Sequence, residues 1–169
     1  MREVAMSGPL QGVKVIEMGV WVAGPAATGL MADWGADVIK VEPPAGDPQR
    51  FVFGALGVAD QKGVPPFEID NRGKRSVVLD LRNDDDLQKM FVLLEEADVF
   101  VSNVRPAGLA RMGLDPESLT KRFPRLIYGQ LTGYGATGPD VDKAGYDIGA
   151  FWSRSGLAHT TVAPDELPP

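Results

Sequence analysis

Between Val13 and Glu42 the apolar positions change their period twice. Val13, Val15 and Ile16 bring β-branched residues to a strand. Gly24 and Pro25 mark a tight turn, and Pro25 suits the first turn of a helix, where its missing N–H costs nothing. Ala26 to Trp34 is rich in Ala, Leu and Met, and Gly35 is placed to end a helix there. Asp37 to Val41 is a second apolar run of strand type. Two strands joined by a helix of about a dozen residues exclude a hairpin and predict a parallel βαβ unit with a right-handed crossover.

The rest of the chain continues the alternation. Pro43 to Pro48 is a loop by composition, since Pro43 and Pro44 stop the strand. Arg50 to Pro66 holds no sustained period and reads as one long surface loop, with Phe67 to Ile69 a short helix or an extended piece. Lys74 to Asp80 is a third strand. Leu87, Met90, Phe91 and Leu94 fall at helical spacing, and Asn83 or Asp84 can cap that helix. Val99 to Val101 is a fourth strand, and Pro106 to Met112 a short helix ended by Gly113. Asp115 is a good cap for Pro116 to Arg122. Leu126 to Leu131 is a fifth strand, followed by a glycine-rich loop from Thr132 to Pro139; Tyr146 to Ser153 starts another helix. The fold class is α/β, with a Rossmann-like, mostly parallel sheet and flanking helices.

A sheet of this kind binds ligands at the C-terminal ends of its strands, beside helix N-termini. The first turn here runs from Gly19 through Val20, Trp21, Val22 and Ala23 to Gly24 and Pro25. It lacks the G-x-G-x-x-G spacing of a dinucleotide site, although Glu42 stands where such a site holds its ribose-binding acid.

Composition narrows the function classes. A hydrophobic fraction of 44% and a charged fraction of 24% suit a globular domain. The net charge of -6 argues against general nucleic-acid binding, though not against a local basic site. There is no cysteine, so thiolate and disulfide chemistry are excluded. The single histidine, His159, cannot make a metal site alone, and no metal is expected. No apolar run approaches a membrane span and no signal-peptide pattern opens the chain, so a cytoplasmic protein without a membrane partner is expected.

The segment AGPAATGLMADWGADVIKVEPPAGDPQR resembles the N-terminal signature of the family III CoA-transferases. That family includes formyl-CoA and carnitine-CoA transferases and α-methylacyl-CoA racemases. The similarity continues through NRGKRSVVLDL, ADVFVSNVRPAGLARMGLD and PRLIYGQLTGYGATGP, then GYD at residues 145–147. Four ordered blocks are far more specific than any one. The resemblance implies coenzyme A as substrate and an interlocked homodimer. It divides the chain into a flexible lead-in (1–9), the N-terminal part of a Rossmann-like CoA-binding domain (10–155) and the start of a linker (156–169). Members of the family are longer, and the proline-rich ending reads as a cut loop, so an N-terminal portion is expected. By itself that portion is expected to be inactive and to self-associate.

By motif, the resemblance carries CoA contacts onto Val22 and Ala23; onto Leu79, Asp80, Leu81 and Arg82; onto Asn103, Val104 and Arg105; and onto Arg111. The loop of Lys143, Ala144, Gly145 and Tyr146 would approach the thioester end, with Tyr146 on the substrate side. The basic residues Arg72, Lys74, Arg75, Arg105 and Arg111 would as a group meet the phosphates of CoA. Read without the resemblance, each is a surface charge or an ion-pair partner for one of the chain's 23 acids. Two departures weaken formyl-CoA or oxalate as substrates: Val22 replaces a glutamine of the formyl-CoA transferases, and Pro43 replaces an arginine.

Transferases of this type attack the thioester with an aspartate in a later G-D motif. No G-D pair follows Gly46-Asp47, so the nucleophile is expected beyond residue 169. Racemases of the family carry histidine at the position of Tyr146. Tyrosine, with an ordinary pKa of about 10, is a poor proton exchanger at neutral pH, which favours transfer over racemisation. The alternatives are a 2-methylacyl-CoA racemase on the same scaffold, a non-catalytic nucleotide-binding module, and, for Tyr146, simple packing with its hydroxyl bonded to backbone.

Overall fold

The alternation of strand and helix closes into one parallel sheet. The computed structural model describes residues 8–57, 63–146 and 148–161. Strands β1 (Lys14–Met18), β2 (Asp37–Glu42), β3 (Arg75–Val78), β4 (Val99–Ser102) and β5 (Ile127–Gln130) stand in the order β3-β2-β1-β4-β5, every neighbouring pair parallel. The order reverses between β1 and β4, which makes their C-terminal ends the topological switch point.

Helix α1 (Ala23–Asp33) crosses from β1 to β2. It has no side-chain cap; the Val22 carbonyl accepts the Ala26 N–H at 2.7 Å, and Pro25 occupies the first turn. Gly35, at φ +96°, ends it in a left-handed conformation that favours glycine. Helix α2 (Val52–Ala55) is a single turn, and α3 (Pro65–Asp70) packs across α1. That contact needs Gly29: a Cβ there would lie 2.7 Å from the Asp70 carbonyl oxygen.

Helices α4 (Asp84–Glu95), α5 (Pro106–Arg111) and α6 (Pro116–Arg122) cover the opposite face. Asn83 caps α4 by accepting the Asp85 N–H, and Asp115 caps α6 by accepting the Ser118 N–H. Met90, Leu94, Leu109 and Leu119 are fully buried with Ile16, Met18, Val41 and Phe100 in the larger core. Val15, Val38 and Val101 form the smaller core, with Met31 and Ala32 of α1 packed against them. Tyr128 donates its hydroxyl to the Leu114 carbonyl at 2.8 Å, and burial pushes its pKa up to about 12. A turn of π-helix (Ile148–Ser153) and α7 (Leu157–Thr160) follow β5.

The expectation of one long loop over Arg50–Pro66 is corrected. A 3-10 turn (Pro48–Phe51) runs directly into α2, and α3 begins at Pro65 with two prolines in its first turn. Helices of four and six residues are too short to print a period in sequence. The middle of that segment (58–62), most of the lead-in (1–7), Asp147 and the ending (162–169) lie outside the described residues. Burial divides between the centre and the edges of the sheet. Phe100 and Val101 of β4 are buried, whereas Val78 and Ile127 on the edge strands are 61% and 64% exposed.

Candidate functional site

The switch point is closed by side chains from β4. Ser102 donates its hydroxyl to the Met18 carbonyl at 2.8 Å and accepts the Val104 N–H at 3.1 Å. The Asn103 carboxamide accepts the Val20 N–H at 2.9 Å and donates to the Val20 carbonyl at 2.7 Å. Next along the turn, Trp21 adopts φ +61°, uncommon for a non-glycine residue. Its N–H donates to Asp47 at 3.1 Å.

Beneath this turn lies a buried charge network. Glu17 of β1 stands in register with Lys40 of β2, and both side chains are almost fully enclosed. Lys40 donates to Glu17 and to the Gly19 carbonyl, each at 2.8 Å, and lies 3.0 Å from Asp47 Oδ2. Lys74 donates to Glu17 and to the Pro25 carbonyl, each at 2.7 Å, and to Asn71 at 3.0 Å. Thr28 of α1 adds a hydroxyl donor to Glu17 at 2.7 Å. Burial lowers the pKa of Lys74, and the facing Glu17 carboxylate opposes that fall.

Glu42 is spoken for. Arg50 grips its two oxygens at 2.7 and 2.6 Å, Ser76 donates to it at 2.7 Å, and the Asp47 N–H donates at 3.1 Å. Burial alone would raise this carboxyl; the donors overcome it and hold its pKa at about 2. A carboxylate so engaged is not presented to a ribose.

The residues expected to touch CoA are distributed along the C-terminal end of the sheet. Val22 and Ala23 are exposed at the start of α1. Asn103, Val104 and Arg105 follow β4 directly, Val104 packing on the core and Arg105 pointing to solvent. Arg111 closes α5, and with Val104, Arg105, Ala107, Gly108 and Asp142 it lines a depression of about 280 Å³. Asp142 also accepts the Ala107 N–H at 2.8 Å. Neither Arg105 nor Arg111 has a carboxylate partner among the described residues.

The structure does not bring Leu79 to Arg82 into that group. They follow β3 at the sheet's edge, two strands from β1. Leu79 is a core residue, Leu81 packs against the core, and Arg82 is paired with Asp80 at 2.8 Å.

Lys143 is paired with Asp140 at 2.6 Å, which Arg154 also contacts. Both donors lower the Asp140 pKa. Ala144 and Gly145 are exposed, and Gly145 lies against Gly133: a Cβ on Gly133 would fall 2.4 Å from the Gly145 Cα. This crossing delivers Tyr146 to the first turn, its ring edge-on to Trp21 with centroids 6.1 Å apart. The Tyr146 hydroxyl has no hydrogen-bond partner among the described residues, so the alternative of a hydroxyl bonded to backbone is not seen among them.

The basic residues before β3 each have a carboxylate partner. Arg72 pairs with Asp33, Lys74 with Glu17 and Arg75 with Asp37. These charges are paired within the chain. Lys40, Glu17, Asp47 and Trp21 went unnoticed as site residues in the sequence. The available signal was a carboxylate in VIEM and an ammonium in VIKVE, at positions where a buried parallel strand is ordinarily apolar.

The model of CoA-transferase family III matches residues 10–169. The cinnamoyl-CoA:phenyllactate CoA-transferase of Clostridium sporogenes is 40% identical over 94% of this chain and 39% of its own length. The succinate–glutarate CoA-transferase of Agrobacterium fabrum is 42% identical over 95% of this chain and 41% of its own. A crystal structure of a CAIB/BAIF family protein from Brucella suis superposes with a TM-score of 0.84 at 40% identity, covering 96% of this chain and 43% of that one. The chain spans about two fifths of the length of the curated relatives it matches. The ordered motifs, the sheet and the matched span agree: the chain belongs to CoA-transferase family III.

Proposed function

We propose that the full-length protein is an acyl-CoA:carboxylate CoA-transferase, and that this chain seats the CoA moiety at the β1–β4 switch point. The observation that carries the reading is the depression after β4 lined by Arg105 and Arg111, neither of which has a carboxylate partner among the described residues. Two guanidinium groups and the first N–H groups of α1 suit a polyphosphate. The names of the relatives support transfer between acids: cinnamate and phenyllactate in one, succinate and glutarate in another.

In this reading an aspartate from beyond residue 169 attacks the thioester carbonyl and the CoA thiolate leaves, giving an acyl–aspartyl anhydride. The thiolate then attacks the aspartyl carbonyl, which releases the first acid and leaves an aspartyl thioester. The acceptor carboxylate reverses both steps and departs as its own CoA thioester, restoring the aspartate. This chain binds the nucleotide end through Arg105 and Arg111. It directs the thioester toward Tyr146 and Trp21, and Asn103 fixes the turn between the two ends. Leu79 to Arg82 contact CoA, in this reading, through backbone groups at the end of β3. The protein works as an interlocked homodimer in the cytoplasm, with an acyl-CoA and a free carboxylic acid as its partners.

Tyrosine at 146, in place of the histidine that the family's racemases carry, opposes the racemase alternative. The test incubates full-length protein with cinnamoyl-CoA or succinyl-CoA and a panel of free 2-hydroxy and dicarboxylic acids, and follows new thioesters by mass spectrometry. Appearance of the acceptor's CoA thioester is expected. Rapid loss of label from α-deuterated 2-methylacyl-CoA without transfer would place the protein with the racemases instead.

A further inference from the structure

We propose that Lys40 and Lys74 are positioning residues, which act through Glu17 to hold the first turn in the geometry its ligand meets. The proposal rests on the CoA reading for the identity of that ligand. It rests on the structure for the mechanics. One buried carboxylate receives both ammonium groups, Lys40 at Oε1 and Lys74 at Oε2. Each lysine spends another donor on a carbonyl of the turn: Lys40 on Gly19, where the turn leaves β1, and Lys74 on Pro25, where it has entered α1. The two ends of the turn are thus tied to one point beneath it. Asp47, which receives the Trp21 N–H above, lies 3.0 Å from Lys40 and joins the same group.

The charges of Glu17, Asp47, Lys40 and Lys74 balance, so the group is neutral where water does not reach. Buried ion groups are often replaceable by well-packed apolar residues with no loss of stability. What an apolar core could not supply is a pair of donors aimed at the Gly19 and Pro25 carbonyls. The lysines of this group therefore differ in role from Arg72 and Arg75, whose partners are exposed carboxylates.

The test uses the full-length protein, the variants Lys40→Met and Lys74→Met, and the charge-balanced double variant Glu17→Gln/Lys74→Met, which removes one buried charge of each sign. Hydrogen exchange followed by mass spectrometry reads the turn (residues 19–26) against α4 as an internal reference. Calorimetry reads CoA affinity, and steady-state kinetics separates KM from kcat. The expected result is exchange at least tenfold faster in the turn with α4 unchanged. CoA dissociation constant and KM rise about tenfold, and kcat changes by less than threefold. A folded double variant with wild-type exchange and wild-type affinity would overturn the proposal. So would equal loss of protection in the turn and in α4, which marks general destabilisation. If wild-type protein does not bind CoA, the CoA reading fails, and exchange in the turn alone still decides whether the lysines hold it.

Discussion

The Asn103 carboxamide spans Val20 like a strand partner, accepting its N–H at 2.9 Å and donating to its carbonyl at 2.7 Å. A side chain at the end of β4 thereby extends the sheet's bonding two residues past the end of β1. Both groups are part-buried, so removing the amide leaves a donor and an acceptor unpaired. Replacing Asn103 by Ala is expected to cost about 1–3 kcal/mol in urea unfolding of the full-length protein. Asn103→Asp is expected to do no better, because it sets a carboxylate oxygen against the Val20 carbonyl. Wild-type stability in either variant would show that the clamp contributes nothing.

Glu42 gives the fold an acid-sensitive joint. Its carboxyl is held at about 2, below the ordinary 4.5, so the native state favours the ionised form. The stability from this group is complete above the ordinary value and is lost as pH falls toward 2. In Arg50→Met the carboxylate keeps only Ser76 and the Asp47 N–H as partners. That variant is expected to lose about 1–2 kcal/mol at neutral pH, a figure reduced for solvent screening at the part-exposed arginine, and to show a flatter acid limb. Denaturant titrations at several acidic pH values read both. Parallel acid limbs for variant and wild type would remove Glu42 from the account.

Two arginines separate phosphate binding from ion pairing. Arg111→Ala is expected to raise the CoA dissociation constant several-fold, with a smaller effect on an analogue lacking the contacted phosphate. Arg72→Ala is expected to leave it within about twofold, since that guanidinium is engaged with Asp33. Calorimetry on both variants decides. Equal losses would return the cluster before β3 to the phosphate site.

Much of this fold is legible locally. Pro25 and Gly35, Asn83, and Asp115 followed by Pro116 mark helix ends through their own backbone chemistry, and the helices lie within a few residues of where those marks place them. The site is legible only in part. Lys40 and Lys74 meet Glu17 across 23 and 57 positions of sequence, and the strand order alone makes them neighbours. Read along the chain, Lys74 belongs to a basic run with Arg72 and Arg75. In space the three turn to different carboxylates. Trp21 was hidden for another reason: its left-handed backbone runs against its own preference, and the Asp47 that receives its N–H lies 26 positions along the chain.

Gly145→Ala tests the crossing of the two loops. A Cβ at Gly145 would lie 2.5 Å from the Gly133 Cα, and backbone must move to admit it. A cost of about 1–3 kcal/mol is expected, as for overpacking elsewhere. Displacement of Tyr146 from Trp21 should lower the rate of transfer more than it weakens CoA binding. A variant with wild-type kinetics would show that the approach of the loops has no bearing on catalysis.

Backbone meeting backbone at Gly133 and Gly145 makes the residues between them a lasso with its knot already drawn. The entropic cost of closing such a loop grows slowly, by about 0.6 kcal/mol for each doubling of length. Residues added near Thr137 or Pro139 would lengthen the lasso without loosening the knot. Paralogues could therefore diverge in the size of this tip while Tyr146 stays anchored beside Trp21.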